Sequence, residues 1–217
     1  QIGNYRFMSL YEPRIHAVPY QGQSGLTPAG LPNPNLEWEE NRKLQGGIEI
    51  GWLNDRLLLT VNYVRNRSSN SLTEVKLPIS TGYTTIVDNL PALIQNRNWE
   101  LSLNTVNLNR SHFRWTSNFN LSIPENKLLA FPDLGNSSLS YLLVLGQPLN
   151  VRKLYSYHGI NPQTGTLMVK DRHGNPTSNP AESDRLKLMQ LGAQCYGGFL
   201  NSISYKGFQL DFLLEFK

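Results

Sequence analysis

The stretch FRWTSNFNLSI, residues 113–123, decides the fold, because its large apolar side chains recur at alternate positions. Successive side chains of a β-strand point to opposite faces, whereas helical spacing would scatter the same aromatic residues around a cylinder. One face would carry Phe113, Trp115, Phe119, Leu121 and Ile123, and the other Arg114, Thr116, Asn118, Asn120 and Ser122. The segment is therefore predicted to be a long strand with one apolar and one polar face.

The same alternation extends to both sides of this segment. Upstream, residues 98–105 alternate in the same way, and the asparagine-rich residues 106–111 predict a tight hairpin connection. Two further hairpins are predicted, one with its turn at Asn54-Asp55 and one with its turn at Lys206-Gly207. Residues 2–10 predict another strand. Three long hairpins with short turns thus dominate the pattern.

Long irregular segments join these hairpins. They comprise residues 11–37, 78–91, 127–150 and 171–194, and they hold most of the 13 prolines, which cannot donate a hydrogen bond in a central strand. Short turns on one side, long loops on the other and two-faced strands are typical of outer-membrane barrels. Aromatic residues near the strand ends fit interfacial girdles: Trp38, Trp52, Tyr63, Trp99, Trp115 and Tyr205. A soluble β-sandwich also alternates, so periodicity alone leaves both architectures open.

Composition excludes some classes of function. Apolar residues make up 39% and charged residues 17% of the 217 residues, so uncharged polar residues fill the difference. The net charge of +4 is spread along the chain, and nucleic-acid binding, which needs a clustered cationic face, is not expected. No run of about 18 to 20 apolar residues predicts a membrane helix, and no secretory leader pattern opens the chain.

No residue pattern points to catalysis or to a metal site. Cys195 is the single cysteine, and it is expected to be a semi-buried residue near a strand start. The four histidines lack metal-ligand spacing, and the segment beginning at Asp171 predicts a turn rather than a calcium loop. Carboxylates are available for a glycosidase pair, but nothing places two of them across a cleft: Glu39, Glu40, Asp184 and Glu215. No catalytic residue, cofactor or metal ligand is therefore predicted, although a hydrolase with an unseen pair stays a third alternative.

A series of short motifs in a fixed order identifies a family. NPNLEWE at 33–39, LNDRL at 53–57 and LPISTG at 77–82 are followed by NRNWEL at 96–101 and WTSNFNL at 115–121. GQP at 146–148, YSYHGINPQTG at 155–165, KDRHG at 170–174 and YGGFLNSISYKGFQLDF at 196–212 complete the order. Together these motifs resemble the SusC-like (RagA/SusC type) TonB-dependent outer-membrane transporters, and the resemblance covers nearly the whole chain.

The resemblance implies a fold, a function and partners. The fold class would be all-β, an antiparallel segment of a large transmembrane β-barrel with long extracellular loops and short periplasmic turns. Residues 1–217 would form one partial barrel without plug, signal peptide or last strands. The whole protein would import oligosaccharides or peptides across the outer membrane of a Gram-negative, Bacteroidetes-like cell. Its partners would be a SusD-like surface lipoprotein, TonB acting through the absent plug, and outer-membrane lipid. The alternative from the residues alone is a secreted soluble β-sandwich that binds carbohydrate.

Ligand contacts are expected from aromatic residues of the long connections. Such side chains stack on sugar rings or peptide groups, and an arginine beside them would donate hydrogen bonds. The predicted substrate-binding residues are Tyr20, Tyr83, Tyr141, Arg152 and Tyr155. Packing within the loops is the competing role for each of them.

Overall fold

The computed structural model describes residues 7–13, 21, 23 and 25–217 of the chain. Its strands are β1 (Tyr11–Pro13), β2 (Leu26–Pro28), β3 (Glu40–Trp52), β4 (Leu57–Ser69), β5 (Ser71–Lys76), β6 (Thr85–Leu90), β7 (Leu93–Arg110), β8 (Phe113–Ala130), β9 (Val151–Leu154), β10 (Ser156–Ile160), β11 (Leu167–Lys170), β12 (Pro176–Thr177), β13 (Lys187–Gln190), β14 (Tyr196–Tyr205) and β15 (Phe208–Phe216). Short 3-10 helices span Ile79–Thr81, Leu134–Asn136 and Glu182–Asp184. The described chain is thus all-β, as predicted.

The chain divides into two compact units, which are described separately. The first comprises residues 1–42 and 67–93, and the second residues 43–66 and 94–217. In the first unit, β1 pairs antiparallel with β2 and β5 pairs antiparallel with β6. Asn33 of the NPNLEWE motif donates its side-chain amide to the carbonyl of Val87 at 3.0 Å. Asn89 accepts from the Glu37 backbone N–H at 2.7 Å and donates to its carbonyl at 2.9 Å, so the motif is fixed against β6.

A six-stranded sheet forms most of the second unit. Its order is β15-β14-β8-β7-β4-β3, with β14 antiparallel to both of its neighbours. The turns between β3 and β4, β7 and β8, and β14 and β15 are short. The backbone N–H of Lys206 donates to the carbonyl of His112 at 3.1 Å, which places the last two of these turns side by side. Lys206 and Gly207 have φ of 46° and 89°, the positive values that a two-residue hairpin needs.

Two smaller sheets occur in the long connections of this unit. β9 pairs with β13, and β10, β11 and β12 form a three-stranded sheet. Asn161 accepts the backbone N–H of Gln163 at 2.9 Å, which closes the turn between β10 and β11. Of these strands, β12 and β13 lie within the connection predicted over residues 171–194, which is therefore a folded segment with strands of its own.

The apolar core of the described residues is small. The buried apolar residues are Ala92 in the first unit and Leu128, Phe131, Val151 and Val169 in the second. The large side chains on one face of the sheet are exposed instead, among them Phe208 at 81% and Leu210 at 60%. A soluble domain buries such side chains against another layer, so this face lacks a partner within the described chain.

Three boundaries differ from the sequence-based expectations. The strand predicted over residues 2–10 is wrong for residues 7–10, which form a turn and bend; residues 2–6 lie outside the described part. The connection predicted over residues 106–111 is also wrong, because β7 continues to Arg110. The Val106 N–H donates to the Arg56 carbonyl at 2.8 Å, and this pairing outweighs the loop preference of the neighbouring asparagines. Short strands lie within the predicted long connections, as do the last residues of β8.

Candidate functional site

The polar face of the six-stranded sheet is built mainly from amide side chains. Neighbouring strands are joined across this face by the side chains of Asn118 and Asn104, which hydrogen bond to each other. Ser122 donates to Asn98 at 3.1 Å in the same way. At Gly198, the backbone N–H donates to the Asn120 side-chain oxygen at 3.0 Å. The face therefore presents neutral donors and acceptors with few formal charges.

A hollow of about 940 Å³ lies on this face toward the long connections. Its lining includes six asparagines, namely Asn66, Asn96, Asn98, Asn120, Asn126 and Asn150, together with Tyr196. Two cations and two carboxylates also border it, so their formal charges balance: Arg97, Lys217, Glu125 and Glu215. Amides can both donate and accept, so such a lining suits hydroxyl groups or peptide groups, which also do both. The volume is that of a site for a small or medium-sized ligand.

Asn126 connects the sheet to the connection that follows it. Its side-chain oxygen accepts the backbone N–H of Leu149 at 2.9 Å, and its amide donates to Asn96. The segment after β8 is further fixed where the Leu128 N–H donates to the carbonyl of Gln147 at 3.0 Å. The rim of the hollow is thus held by specific hydrogen bonds, and the buried side chain of Leu128 lies in the same segment.

The opposite face is apolar but contains one chain of polar side chains. Asn107 donates to the Ser117 hydroxyl at 2.7 Å, and Ser117 donates to the Asn201 side-chain oxygen at 2.6 Å. The indole N–H of Trp115 donates to the same oxygen at 3.1 Å. Because indole only donates, Asn201 must direct its oxygen toward Trp115. Asn201 is 2% exposed, and its side-chain nitrogen has no hydrogen-bond partner.

The apolar face ends in aromatic side chains and then in charges. The rings of Tyr63 on β4 and Trp99 on β7 lie 4.7 Å apart. One row further toward the long connections, Arg97 forms an ion pair with Glu125, which is also paired with Lys127 at 2.5 Å. All three of these charged side chains are between one third and two fifths exposed. The boundary between apolar and charged rows is therefore sharp.

A carboxylate organises the long connection after β11. Asp184 is 7% exposed, and its two oxygens accept the backbone N–H groups of Arg172 at 3.0 Å and Ala181 at 2.8 Å. Asp171 accepts the N–H groups of His173 and Asn175, each at 2.8 Å. The Asn175 bond is the main reason why the pKa of Asp171 lies below its ordinary value. These carboxylates have structural partners, and the turn predicted at Asp171 is present.

The predicted substrate-binding residues occupy different surroundings. Tyr20 lies outside the described residues. In the first unit, Tyr83 lines a separate hollow of about 380 Å³ with Met8, Leu10 and Glu74. In the second unit, Tyr141 is 66% exposed, and Arg152 is in β9 opposite Met189. The Arg185 guanidinium lies 4.7 Å from the ring centre of Tyr155 and covers one side of that ring. None of the four described residues lines the amide-rich hollow, and the role of all five in binding stays a prediction.

The sequence reasoning did not select the asparagines of the hollow. A usable signal existed, since asparagine recurs at even positions along β7 and β8, which alternation places on the polar face. Glu215, which alternation along β15 places on the polar face, also lines the hollow. Cys195 is partly buried just before β14, as expected. Within the described ranges, no group of three or more His, Cys, Asp or Glu residues could hold a metal ion.

Comparison with known proteins identifies the family. The family model described as TonB dependent receptor-like, beta-barrel matches residues 4–183. The chain belongs to this TonB-dependent receptor-like β-barrel family. The sequence motifs had already resembled the SusC-like branch of TonB-dependent transporters, and the relatives include a protein named SusC. The family is one of receptors and transporters rather than enzymes.

Individual relatives of this TonB-dependent receptor segment agree. A TonB-dependent receptor of Formosa agariphila is 30% identical over 161 residues, covering 74% of this chain and 15% of the relative. The TonB-dependent receptor SusC of Bacteroides thetaiotaomicron is 21% identical over 201 residues, covering 84% of this chain and 20% of the relative. The structure of the RagAB peptide transporter matches with a TM-score of 0.74 and 21% identity, over 99% of this chain and 24% of that one.

The chain corresponds to only a part of each relative. The matched region covers between 12% and 24% of the length of the curated relatives. The structural likeness establishes the fold of a barrel segment, as predicted. Among the residues that the structure describes, no helix is long and apolar enough to cross a membrane.

Proposed function

We propose that the chain forms part of the wall of an outer-membrane active transporter, which imports oligosaccharides or peptides with energy from TonB. The apolar face of the six-stranded sheet carries this proposal. From Phe113 to Ile123 on β8, a strand rising about 3.3 Å per residue and tilted about 40° spans about 25 Å along the barrel axis. That is the height of the apolar band of outer-membrane barrels, and the charged row of Arg97, Glu125 and Lys127 begins where the band ends.

The two faces of the six-stranded sheet would lie in different environments. The uncovered apolar face would contact lipid, and the amide-rich face would line the interior of the barrel. The neutral hollow supports a substrate rich in hydroxyl or peptide groups, because it offers amide hydrogen bonds without a dominant charge. No residue of this site is assigned a catalytic role. A secreted carbohydrate-binding sandwich is not favoured, since no second sheet covers the apolar face within the described chain.

The partners follow from the family as part of the proposal. TonB would act through a plug domain elsewhere in the full-length protein, and a SusD-like surface lipoprotein would assist substrate capture. The cell would be a Gram-negative one, as in the Bacteroides and Formosa sources of the relatives. Tyr83, Tyr141, Arg152 and Tyr155 are proposed to contact substrate from the long connections, with Tyr20 as a further candidate.

A pair of adjacent labels on β15 tests which face meets lipid. In the full-length protein with Cys195→Ser, a fluorophore is attached at Leu210→Cys or at Asp211→Cys, and the protein is placed in bilayers of brominated phosphatidylcholine. Leu210 is on the apolar face, so bromine should quench its label strongly, whereas the label at Asp211 should be quenched weakly. Equal quenching at both positions, or a reversed order, would overturn the membrane-wall assignment.

Uptake measurements test the transport function. Cells that express the full-length protein with its lipoprotein partner should accumulate a labelled oligosaccharide or peptide mixture only when TonB is active. Tyr141→Ala and Arg152→Ala should lower uptake at an unchanged protein level, while Tyr157→Ala, which also removes an exposed tyrosine, should not. Uptake that does not depend on TonB would contradict the proposed mechanism.

A further inference from the structure

In the charged row next to the apolar band, two positive side chains face each other on neighbouring strands. Two contacts fix the pairing of β4 with β7, namely the Val106 N–H to Arg56 carbonyl bond at 2.8 Å and the ring contact of Tyr63 with Trp99. Both contacts imply the same antiparallel register, in which Arg65 stands directly opposite Arg97. Like charges directly opposite each other on neighbouring strands destabilise a sheet.

A nearby carboxylate, that of Glu125, neutralises only part of the positive charge in this row. Glu125 is shared between Arg97 and Lys127, so one carboxylate serves two cations. With Arg65 included, the row has three positive side chains and one negative side chain, a net charge of +2. All four belong to the second unit and follow the apolar positions of their strands in the alternating pattern. Arg97 and Glu125 also border the hollow, but alternation places their side chains on the same side of the sheet as Trp99 and Ile123. An additional anion would relieve the repulsion between the two arginines.

We propose that Arg65, Arg97 and Lys127, with Glu125 between them, bind the phosphate headgroups of membrane lipids in the leaflet nearest the long connections. Arg65 and Arg97 lie two residues beyond the Tyr63–Trp99 ring pair, which corresponds to about 5 Å along the barrel axis. Lys127 lies two residues beyond Glu125 and so about another 5 Å further from the apolar band. Interfacial aromatic rings mark the level of the headgroups, so the cations are at the height of the lipid phosphates. Guanidinium groups match phosphate oxygens in charge and in geometry.

The inference rests on the proposed function, because it requires the apolar face to contact lipid. It adds the chemical class of lipid that this face selects. A bilayer supplies the phosphate group together with acyl chains, and the acyl chains would pack on the exposed apolar residues just below the charged row, such as Ile123. The site is thus continuous with the apolar band, and a membrane lipid satisfies both parts at once.

The test uses the full-length protein reconstituted in phosphatidylcholine bilayers with trace spin-labelled lipid. Electron paramagnetic resonance gives the fraction of label held at the protein surface, for phosphatidic acid and for phosphatidylcholine separately. The unmodified protein should prefer phosphatidic acid, and R65Q/R97Q should reduce that preference at least two-fold. R65K/R97K retains the positive charge and should keep most of the preference for phosphatidic acid. Added salt should weaken this preference, because it screens the charges.

A matched control neutralises two positive side chains that lie outside the six-stranded sheet. R172Q/K187Q changes two exposed cations of the long connections and should leave the lipid preference unaltered. R65Q alone, which leaves the Glu125 ion pairs in place, should produce a smaller loss and covers the case in which the double variant does not fold. An unchanged preference in R65Q and R65Q/R97Q would refute the headgroup site. If the label at Leu210 is still quenched by brominated lipid, the membrane wall itself would stand.

Discussion

Replacement of Gly197 by alanine should destabilise the barrel wall through a clash with the neighbouring backbone. A Cβ atom at Gly197 would lie 2.2 Å from the carbonyl oxygen of Asn120 on β8 and 2.6 Å from the ring carbon Cζ of Phe216 on β15. Carbon atoms in contact are ordinarily about 3.5 to 4.0 Å apart, so the ring would have to move by about 1 Å or more. The carbonyl belongs to a paired strand and cannot rotate away independently.

The expected cost combines the two contacts. Extra volume in a packed site costs about 1 to 3 kcal/mol, and a contact with paired backbone places Gly197→Ala at about 2 to 3 kcal/mol. The Phe216 ring also stacks on that of Phe119 at 6.1 Å with an interplanar angle of 14°, so its displacement disturbs a second contact. The double variant Gly197→Ala/Phe216→Leu should recover part of the lost stability, because the clash of the new Cβ atom with the Phe216 ring is relieved. The clash with the Asn120 carbonyl remains, so the recovery should be incomplete.

Gly46 provides a matched control for this substitution. It lies within β3, at a position that alternation places on the same apolar face, and a Cβ atom there would meet nothing within 4 Å. The assay is the temperature at which the full-length protein loses its heat-modifiable, compact band in gel electrophoresis. Gly197→Ala should lower this temperature by a few degrees, and Gly46→Ala should leave it unchanged or raise it slightly. Equal temperatures for the two variants would refute the argument from close strand approach.

Three further predictions concern hydrogen bonds and turns. Asn201→Ala should destabilise the same transition by about 2 kcal/mol, because the partly buried indole N–H of Trp115 and the Ser117 hydroxyl lose their acceptor. The protection of the Asn175 amide against hydrogen exchange, corrected for intrinsic rates, should be constant above the ordinary pKa of an aspartate. It should decrease as the pH falls through the lowered pKa of Asp171, since only the ionised carboxylate fully accepts these bonds. Gly207→Ala should cost about 1 kcal/mol, because φ of 89° strains a residue with a Cβ atom.

Each of these predictions has a control and a contradicting result. Asn118→Ala removes an amide from the polar face and should have a smaller effect than Asn201→Ala; the reverse order would contradict the buried network. Asp171→Ala should remove the pH dependence at Asn175, and its persistence would assign the effect to another group. Gly135→Ala, at a position with open space and no positive φ, should be neutral, and a similar loss there would contradict the turn argument.

The sequence alone determined the hairpins and their two-faced strands. Alternation in residues 113–123 fixed which side chains share a face, because the side-chain period of a strand is two and needs no tertiary information. The Lys206-Gly207 turn was likewise readable, since few residue pairs adopt its positive φ values. The order of short motifs indicated the family, which the comparison confirmed.

Tertiary structure decided what each face and each asparagine does. The sequence ended β7 too early, because asparagines favour loops, and only pairing with β4 and β8 shows that residues 106–110 continue the strand. The amide-rich hollow and the Asn201 network combine residues far apart in sequence, and their contacts depend on strand register. Register is a property of the assembled sheet, so neither local propensity nor alternation could supply it. The exposure of the apolar face is likewise a tertiary result, because a periodic pattern is the same whether lipid or a second sheet covers it.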